Sequence, residues 1–334
     1  MSESCRALVC DRLTDDRSGV SIRDWPVRPA GPGEVRVRVR AAALNFPDLL
    51  MTAGLYQYKP PMPYVSGLEG AGEIEQIGEG VDGLRIGQPV YFGVRCGAIA
   101  ELVVLPAADA RPTPTGWDHA EAAAWRVGAL TAYVALTRRG QLQAGETLLV
   151  HGASGGVGIP AVQLGKHLGA TVIATGTSDE KLRAVTAAGA DHVINVRGGD
   201  GREPGFKDAV KALTGGAGAD VIYDPVGGDV FDESLRCIAW DGRLLVVGFA
   251  SGRIPSVNVN LPLIKGFSVV GVRAGEYGRR NPAKGAENMA AIQRLAEQGL
   301  FKPHIGARFD LDHALDAMQC LADRAVAGKV VVTL

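Results

Sequence analysis

The stretch LLVHGASGGVGIPAVQLGK, residues 148–166, constrains the fold of this chain more than any other. An apolar run ends at His151. The next seven residues, GASGGVG, carry almost no side chain, and an apolar-periodic segment follows. A strand, a bare turn and a helix in that order form a unit whose backbone can approach a pyrophosphate, with the helix N-terminus supplying free N–H groups and a positive dipole end. Two glycine registers fit, Ala153, Gly155 and Gly158, or Gly156, Gly158 and Ala161; both place Ser154, Gly155, Gly156, Val157 and Gly158 at a dinucleotide. A glycine triplet alone is weak evidence, and the surrounding pattern supplies the required context. Strands read at 146–150, 171–176, 192–196, 220–224, 243–249 and 268–272. Helical segments such as EKLRAVTAAG and FKDAVKALTGG lie between them. Val/Ile-rich strands separated by helices predict a parallel, doubly wound sheet.

Upstream the texture changes. EVRVRVRAAAL (34–44) alternates charged and apolar residues, as a half-buried strand does. Short strands punctuated by Gly and Pro follow at 70–93 and 98–106, which predicts a compact, barrel-like β domain. HAEAAAWRVGALTAYVALTRRG (119–140) and NMAAIQRLAEQGLFKP read as helices, and KVVVTL as a closing strand. The fold class is therefore α/β. Residues 1–125 and 274–334 form the β-rich domain, and 126–273 form an inserted dinucleotide-binding domain. A length of 334 residues suits two domains.

Bulk properties exclude several roles. A net charge of −1 argues against nucleic-acid or membrane-surface partners held by charge. No apolar run reaches bilayer length, and the N-terminus lacks a signal-peptide pattern. The five cysteines are scattered with no CxxC pair, as reduced thiols in the cytoplasm would be.

The end of the second Rossmann-type strand bears on which dinucleotide binds. An NAD site usually carries an acid there, roughly 20 residues past the glycines. Here TVIATG is followed by Thr177, Ser178 and, a turn later, Lys181. Two hydroxyls and a cation suit a 2′-phosphate, which favours NADPH. Thr177 and Glu180 equally read as a capping box, and Asp179 stands close enough to serve a ribose in a shifted register. A short-chain dehydrogenase is excluded, because no tyrosine in this chain has a lysine four residues later.

Together with these motifs, the segments AAALNFPDLLMTAGLY (41–56), SGLEGAGEIEQIGEGV (66–81), GALTAY (128–133), GADHVIN (189–195), YDPVGG (223–228) and GKVVV (328–332) carry a resemblance. The chain resembles the medium-chain dehydrogenase/reductase superfamily and, within it, the zinc-independent NADPH:quinone oxidoreductases. The resemblance implies a GroES-like N-terminal domain, a Rossmann domain, an interdomain cleft, and a homodimer paired through the edge strand at 268–272. Zinc-dependent relatives carry Gly-His-Glu where this chain has Gly67-Leu68-Glu69, and they have a cysteine ligand where this chain has ALNFPD. Leucine cannot bind zinc, so no metal site is expected.

Hydride delivery to a quinone or enone leaves an oxyanion that needs a donor or a proton. The resemblance places Asn45 and Asp48 beside the nicotinamide and substrate, and Tyr56 at the GxY position of enoyl-thioester reductases. Asn45 also reads as a turn residue before Phe46-Pro47, Asp48 as an acid favouring a helix N-terminus, and Tyr56 as packing. The resemblance further assigns Thr131, Val226, Gly248, Phe249, Ala250 and Lys329 to the cofactor. Two departures stand out. Leu50 holds a place where quinone reductases often have tyrosine, which makes the site more apolar. Val196 replaces an adenosine-side tyrosine, a loss Arg197 could offset. The expected function is NADPH-dependent reduction of a quinone or related conjugated carbonyl. The alternatives are an enoyl-thioester or 2-enoate reductase, or an NADPH-binding crystallin-like or redox-sensing protein.

Overall fold

A computed structural model describes residues 3–197 and 205–334. The chain divides into two compact units, Met1–Val127 with Ile305–Leu334, and Gly128–His304. The return to the first unit comes at Ile305, after two further helices in the second.

In the first unit the strands are β1 (Glu3–Cys10), β2 (Val20–Val27), β3 (Glu34–Leu44), β4 (Tyr64–Val65), β5 (Glu69–Ile77), β6 (Pro89–Gly93), β7 (Leu102–Pro106) and β8 (Ala110–Pro112). The second contributes β9 (Thr147–Val150), β10 (Thr171–Gly176), β11 (His192–Asn195), β12 (Ala219–Asp224), β13 (Ile238–Val246) and β14 (Ser268–Gly271). Back in the first lie β15 (Ile305–Asp310) and β16 (Lys329–Thr333). The helices that matter here are α1 (Phe46–Thr52), α2 (His119–Ala124), α3 (Arg126–Tyr133), α4 (Gly158–His167), α5 (Asp179–Ala187), α6 (Lys207–Leu213), α7 (Gly228–Ser234) and α8 (Asn260–Lys265).

The first unit holds a sheet in the order β15-β16-β3-β5-β6-β8, with β7 also on β3, and a smaller sheet β2-β1-β4. β3 shows why its sequence makes a strand. Val35, Val37 and Val39 are buried, while Arg38 and Arg40 point out to Glu75 and Glu73 on β5. Beyond Arg40 the alternation stops, and Ala41 to Leu44 are buried without interruption.

The second unit holds the parallel sheet β11-β10-β9-β12-β13-β14. Its central strands are buried on both faces, with Leu148, Leu149, Val150, Val221, Ile222 and Tyr223 all inaccessible. That explains their near-continuous apolar runs. The single helix read over 119–140 is broken in the structure. α2 ends at the buried Trp125, α3 follows, and residues 134–139 widen into a π-helix. No helix among the described residues is long and apolar enough to cross a membrane.

Candidate functional site

Register in the first unit gathers five distant positions at one end of the sheet. Ala43 on β3 faces Glu69 on β5, Glu69 faces Gly93 on β6, and Leu44 faces Val330 on β16. Asn45, just past β3, and Lys329, opening β16, therefore share this end with Glu69. All three are buried. The Lys329 Nζ donates to the Leu44 carbonyl (3.0 Å), Asn45 Oδ1 (2.7 Å) and Glu69 Oε1 (2.9 Å), which uses all three ammonium protons. Glu69 Oε1 also accepts from Asn45 Nδ2 (3.1 Å), and its Oε2 accepts the Val127 N–H (2.8 Å). The second Asn45 amide proton goes to the Ala43 carbonyl (3.2 Å).

This geometry bears on two expectations. Lys329, assigned to the cofactor, is only 5% exposed and has no proton left for a ligand. Its physical role is to balance the buried Glu69 carboxylate. Asn45, assigned to the acceptor, has both amide protons committed within the protein. Asp48 sits in the first turn of α1, where its Oδ2 accepts the Asn45 N–H (2.7 Å) and its Oδ1 the Gly67 N–H (3.2 Å). It thus caps the helix N-terminus. Burial nonetheless pushes its carboxyl up to about 7, against the pull of those N–H groups and of Lys329. Tyr56 lies in a bend after α1, half-buried against the core and outside this network.

Sequence reading passed over Arg126. Its side chain lies across Gly93, where an added Cβ would fall 2.0 Å from Nη1, so a side chain there would displace the guanidinium. The guanidinium has no hydrogen-bond or ion-pair partner among the described residues. Burial pulls its pKa down, with Glu69 the strongest opposing charge. The only sequence signal was an arginine inside the apolar run AAAWRVG.

The second unit presents backbone instead of charge. The Gly155 N–H returns to the Gly152 carbonyl (2.9 Å), and the N–H groups of Gly158 and Ile159 reach the Gly155 carbonyl (3.0 and 3.1 Å). A Cβ at Gly158 would sit 2.5 Å from the Gly152 oxygen and 2.6 Å from that of Ala153, so the tight winding requires glycine there. α4 then starts with no side-chain cap and no acidic residue in its first turn. Ser154 to Val157 remain partly accessible.

Because the strands are parallel, their C-terminal ends share one edge. That edge carries the glycine turn after β9, Thr177 and Ser178 after β10, Val226 after β12, and Gly248, Phe249 and Ala250 after β13. The last two loops are laced together by the Ala250 N–H on the Pro225 carbonyl (3.0 Å) and the Ser251 N–H on Val226 (2.9 Å). Thr177 is exposed, and Ser178 takes the N-cap position of α5 without a side-chain capping bond. Lys181 is half-buried in the first turn of α5, and Thr131 is half-buried on α3. Asp179 is held by Asn195 Nδ2 (2.7 Å), whose Oδ1 accepts the N–H of exposed Arg197 (3.0 Å).

His151 is the second residue the sequence left without a role. It lies wholly buried at the end of β9, with Nδ1 2.9 Å from Thr175 Oγ1 and Nε2 2.9 Å from Ser234 Oγ. Ser234 donates its own proton to the Val230 carbonyl (2.7 Å), so Nε2 carries the ring proton and Nδ1 accepts from Thr175. Burial drives the imidazole down to about 3 and keeps it neutral.

Comparison with known proteins agrees with this architecture. Residues 31–146 match the alcohol dehydrogenase GroES-like domain, and 156–291 match the zinc-binding dehydrogenase family. Quinone oxidoreductase-like protein 2 of Mus musculus is 37% identical over 330 residues, covering 98% of this chain and 92% of its own. This chain belongs to the medium-chain dehydrogenase/reductase superfamily. A probable oxidoreductase from Mycobacterium abscessus shares the fold with a TM-score of 0.88 at 38% identity, with both chains fully covered. The mycobacterial protein Rv1454c, solved in complex with NADPH, also reaches 0.88 at 29% identity, over 98% of this chain and 100% of its own.

The superfamily includes zinc enzymes, and the residues here do not fit that metal. Leu68 stands between Gly67 and Glu69, and the Glu69 carboxylate is already saturated by Lys329, Asn45 and the Val127 N–H. No three His, Cys, Asp or Glu side chains among the described residues are placed to hold a metal ion. A dinucleotide does fit, since the superfamily's glycine turn is present and Gly158 makes its close backbone approach possible.

Proposed function

We propose that this chain is an NADPH-dependent, zinc-independent reductase of quinones or related conjugated carbonyls. The observation that supports this reading is the bare, partly accessible turn at the start of α4, in a chain whose first unit pairs Glu69 with Lys329. Bound NADPH supplies the hydride. The accessible turn 154–157 and the N-terminus of α4 receive the pyrophosphate, and Thr177, Ser178 and Lys181 receive the 2′-phosphate. Val226 and Gly248 to Ala250 line the nicotinamide side of the same strand edge. NADPH is favoured because Asp179, the acid that could serve a ribose, is engaged by Asn195, and because a relative of the same fold was solved with NADPH.

Asn45 and Asp48 act as a fixed floor at the end of the first unit's sheet, and the Tyr56 hydroxyl, in the bend after α1, makes no hydrogen bond among the described residues. The test is NADPH oxidation by the purified protein with quinones and enoyl thioesters side by side. Turnover of quinones is expected, with Tyr56→Phe slowing it by less than about fivefold. Turnover of thioesters alone, abolished by Tyr56→Phe, would assign Tyr56 as a proton donor and move the function to enoyl reduction.

The chain is further read as a homodimer. β14 is an edge strand, and exposed apolar residues cluster around it: Val269 on β14, and Val259, Leu263 and Ile264 on or beside α8, with Val259 at 83% and Leu263 at 81%. Light scattering that returned only the monomer mass would remove this reading. Five cysteines outside any disulfide suit a reducing compartment such as the cytoplasm.

A further inference from the structure

Arg126 is an unused cation at the proposed site, and its surroundings point to what it waits for. The buried end of the first unit's sheet holds two cations, Lys329 and Arg126. The Glu69 carboxylate is fully occupied by Lys329, Asn45 and a backbone N–H. Asp48 is committed to two backbone donors. Among the described residues Arg126 therefore makes no hydrogen bond or ion pair and feels Glu69 only through its field, although its fork carries five N–H donors. A half-buried guanidinium left in this state loses hydration without gaining a partner. The strand beneath it leaves room for it at Gly93, where a side chain would displace the guanidinium. Part of Arg126 stays open to solvent, so a ligand can reach it.

We infer that Arg126 is the electrostatic stabiliser of the acceptor's oxyanion, a part for which the sequence offered Asn45, Asp48 and Tyr56. This inference rests on the proposed reductase reading. When a hydride adds to the acceptor carbon, the electron pair of the broken π bond moves to oxygen, and a proton from water then gives the hydroquinone or the saturated carbonyl. The nicotinamide is oxidised and the acceptor is reduced by two electrons. Between those events the oxygen bears a full negative charge. Asn45 has no free amide proton to offer it, and Lys329 has no free ammonium proton. Arg126 has both charge and donors, and a preorganised cation with no hydrogen-bond partner among the described residues favours the charged state over the neutral acceptor.

The test uses 4-nitrophenol, a neutral phenol that becomes a coloured oxyanion. It is titrated spectroscopically on the full-length protein, with and without bound NADP+. The wild type is expected to lower the pKa of the bound phenol by about one unit, a tenfold preference for phenolate. Arg126→Gln should abolish that shift while NADP+ still binds, and lower kcat/KM for quinones by roughly 100-fold. Arg126→Lys should keep part of both. Should Arg126→Gln fail to fold, Gly93→Ala tests the same point, because it displaces the guanidinium without removing it and should reduce the shift. A shift unchanged in Arg126→Gln and Gly93→Ala overturns the inference. So does a bound phenol that titrates at its solution value on an enzyme that still reduces quinones. A protein that binds phenolate through Arg126 but oxidises no NADPH would uphold the anion site and discard the reductase reading.

Discussion

The two units prepare for a ligand with opposite materials. At the end of its sheet the first unit buries charge: Asn45, Asp48, Glu69 and Lys329 lie almost wholly out of water, with Arg126 beside them. At its strand edge the second unit removes side chains, leaving the turn from Gly152 to Gly158 and a histidine kept neutral beneath it. Buried charge can favour a developing charge, but it is stable only while every partner is present. Bare backbone can lie close to a large ligand, and fails when anything is added to it. Each unit should therefore be broken by a different kind of substitution.

The largest effect is expected from subtraction in the first unit. Lys329→Met removes the ammonium from three acceptors and leaves the Glu69 carboxylate buried with no cation hydrogen-bonded to it. Urea denaturation should show a loss of about 3–5 kcal/mol, and the Glu69→Gln, Lys329→Met double variant should recover much of it. A loss below about 1 kcal/mol would mean that the pair carries little of the unit's stability, and the contrast between the units would collapse.

Addition should break the second unit, with a smaller effect on stability and a clear one on binding. A Cβ at Gly158 meets two backbone oxygens at 2.5 and 2.6 Å, whereas one at Gly155 has only the Gly152 oxygen, at 3.3 Å. Gly158→Ala should lower dinucleotide affinity about tenfold or more by calorimetry and cost roughly 1–3 kcal/mol of stability. Gly155→Ala should be far milder. Equal affinities in the two variants would show that the winding of the turn does not govern the grip.

The same contrast explains what could be read from the sequence. The glycine edge was legible because it is local: strand, turn and helix are contiguous from 148 to 166, and parallel pairing carries Thr177, Val226 and Gly248 to the same edge by rule. β3 and β10 were legible to their end residues, since alternation and unbroken apolar runs follow directly from which faces are buried. The charge network was not legible, because it is a product of register. Glu69 and Lys329 lie 260 positions apart, and no local pattern shows that they pair. Lys329 was accordingly assigned to the cofactor and Asn45 to the substrate side by resemblance alone, and Arg126 was given no role. Gly93 was equally silent, since its meaning depends on a side chain that arrives from residue 126.

The smallest predicted effect concerns pH, and it sets one buried group of each unit against the other. Asp48 rises on folding from its ordinary 3.8 to about 7, so between those values the folded form holds more protons than the unfolded one. The stability it contributes is present below 3.8 and is lost as pH rises through 7. His151 falls on folding from 6.5 to about 3, so its contribution is present above 6.5 and is lost as pH falls. Each slope is at most about 1.4 kcal/mol per pH unit, and the two have opposite sign between about pH 4 and 6.5. If the units unfold together, the wild type should show little net pH dependence from this pair. Asp48→Asn should then uncover a decline in stability on acidification, and His151→Gln a gain. If they unfold separately, tryptophan fluorescence reports mainly the first unit, where Trp25, Trp117 and Trp125 lie, with Trp240 alone in the second. Its midpoint should then move to lower denaturant as pH rises from 4 to 7. A fluorescence midpoint that instead climbed over that range in both the wild type and Asp48→Asn would show that Asp48 does not enter the folded core with a raised pKa, and that the charge buried around Lys329 is balanced in some other way.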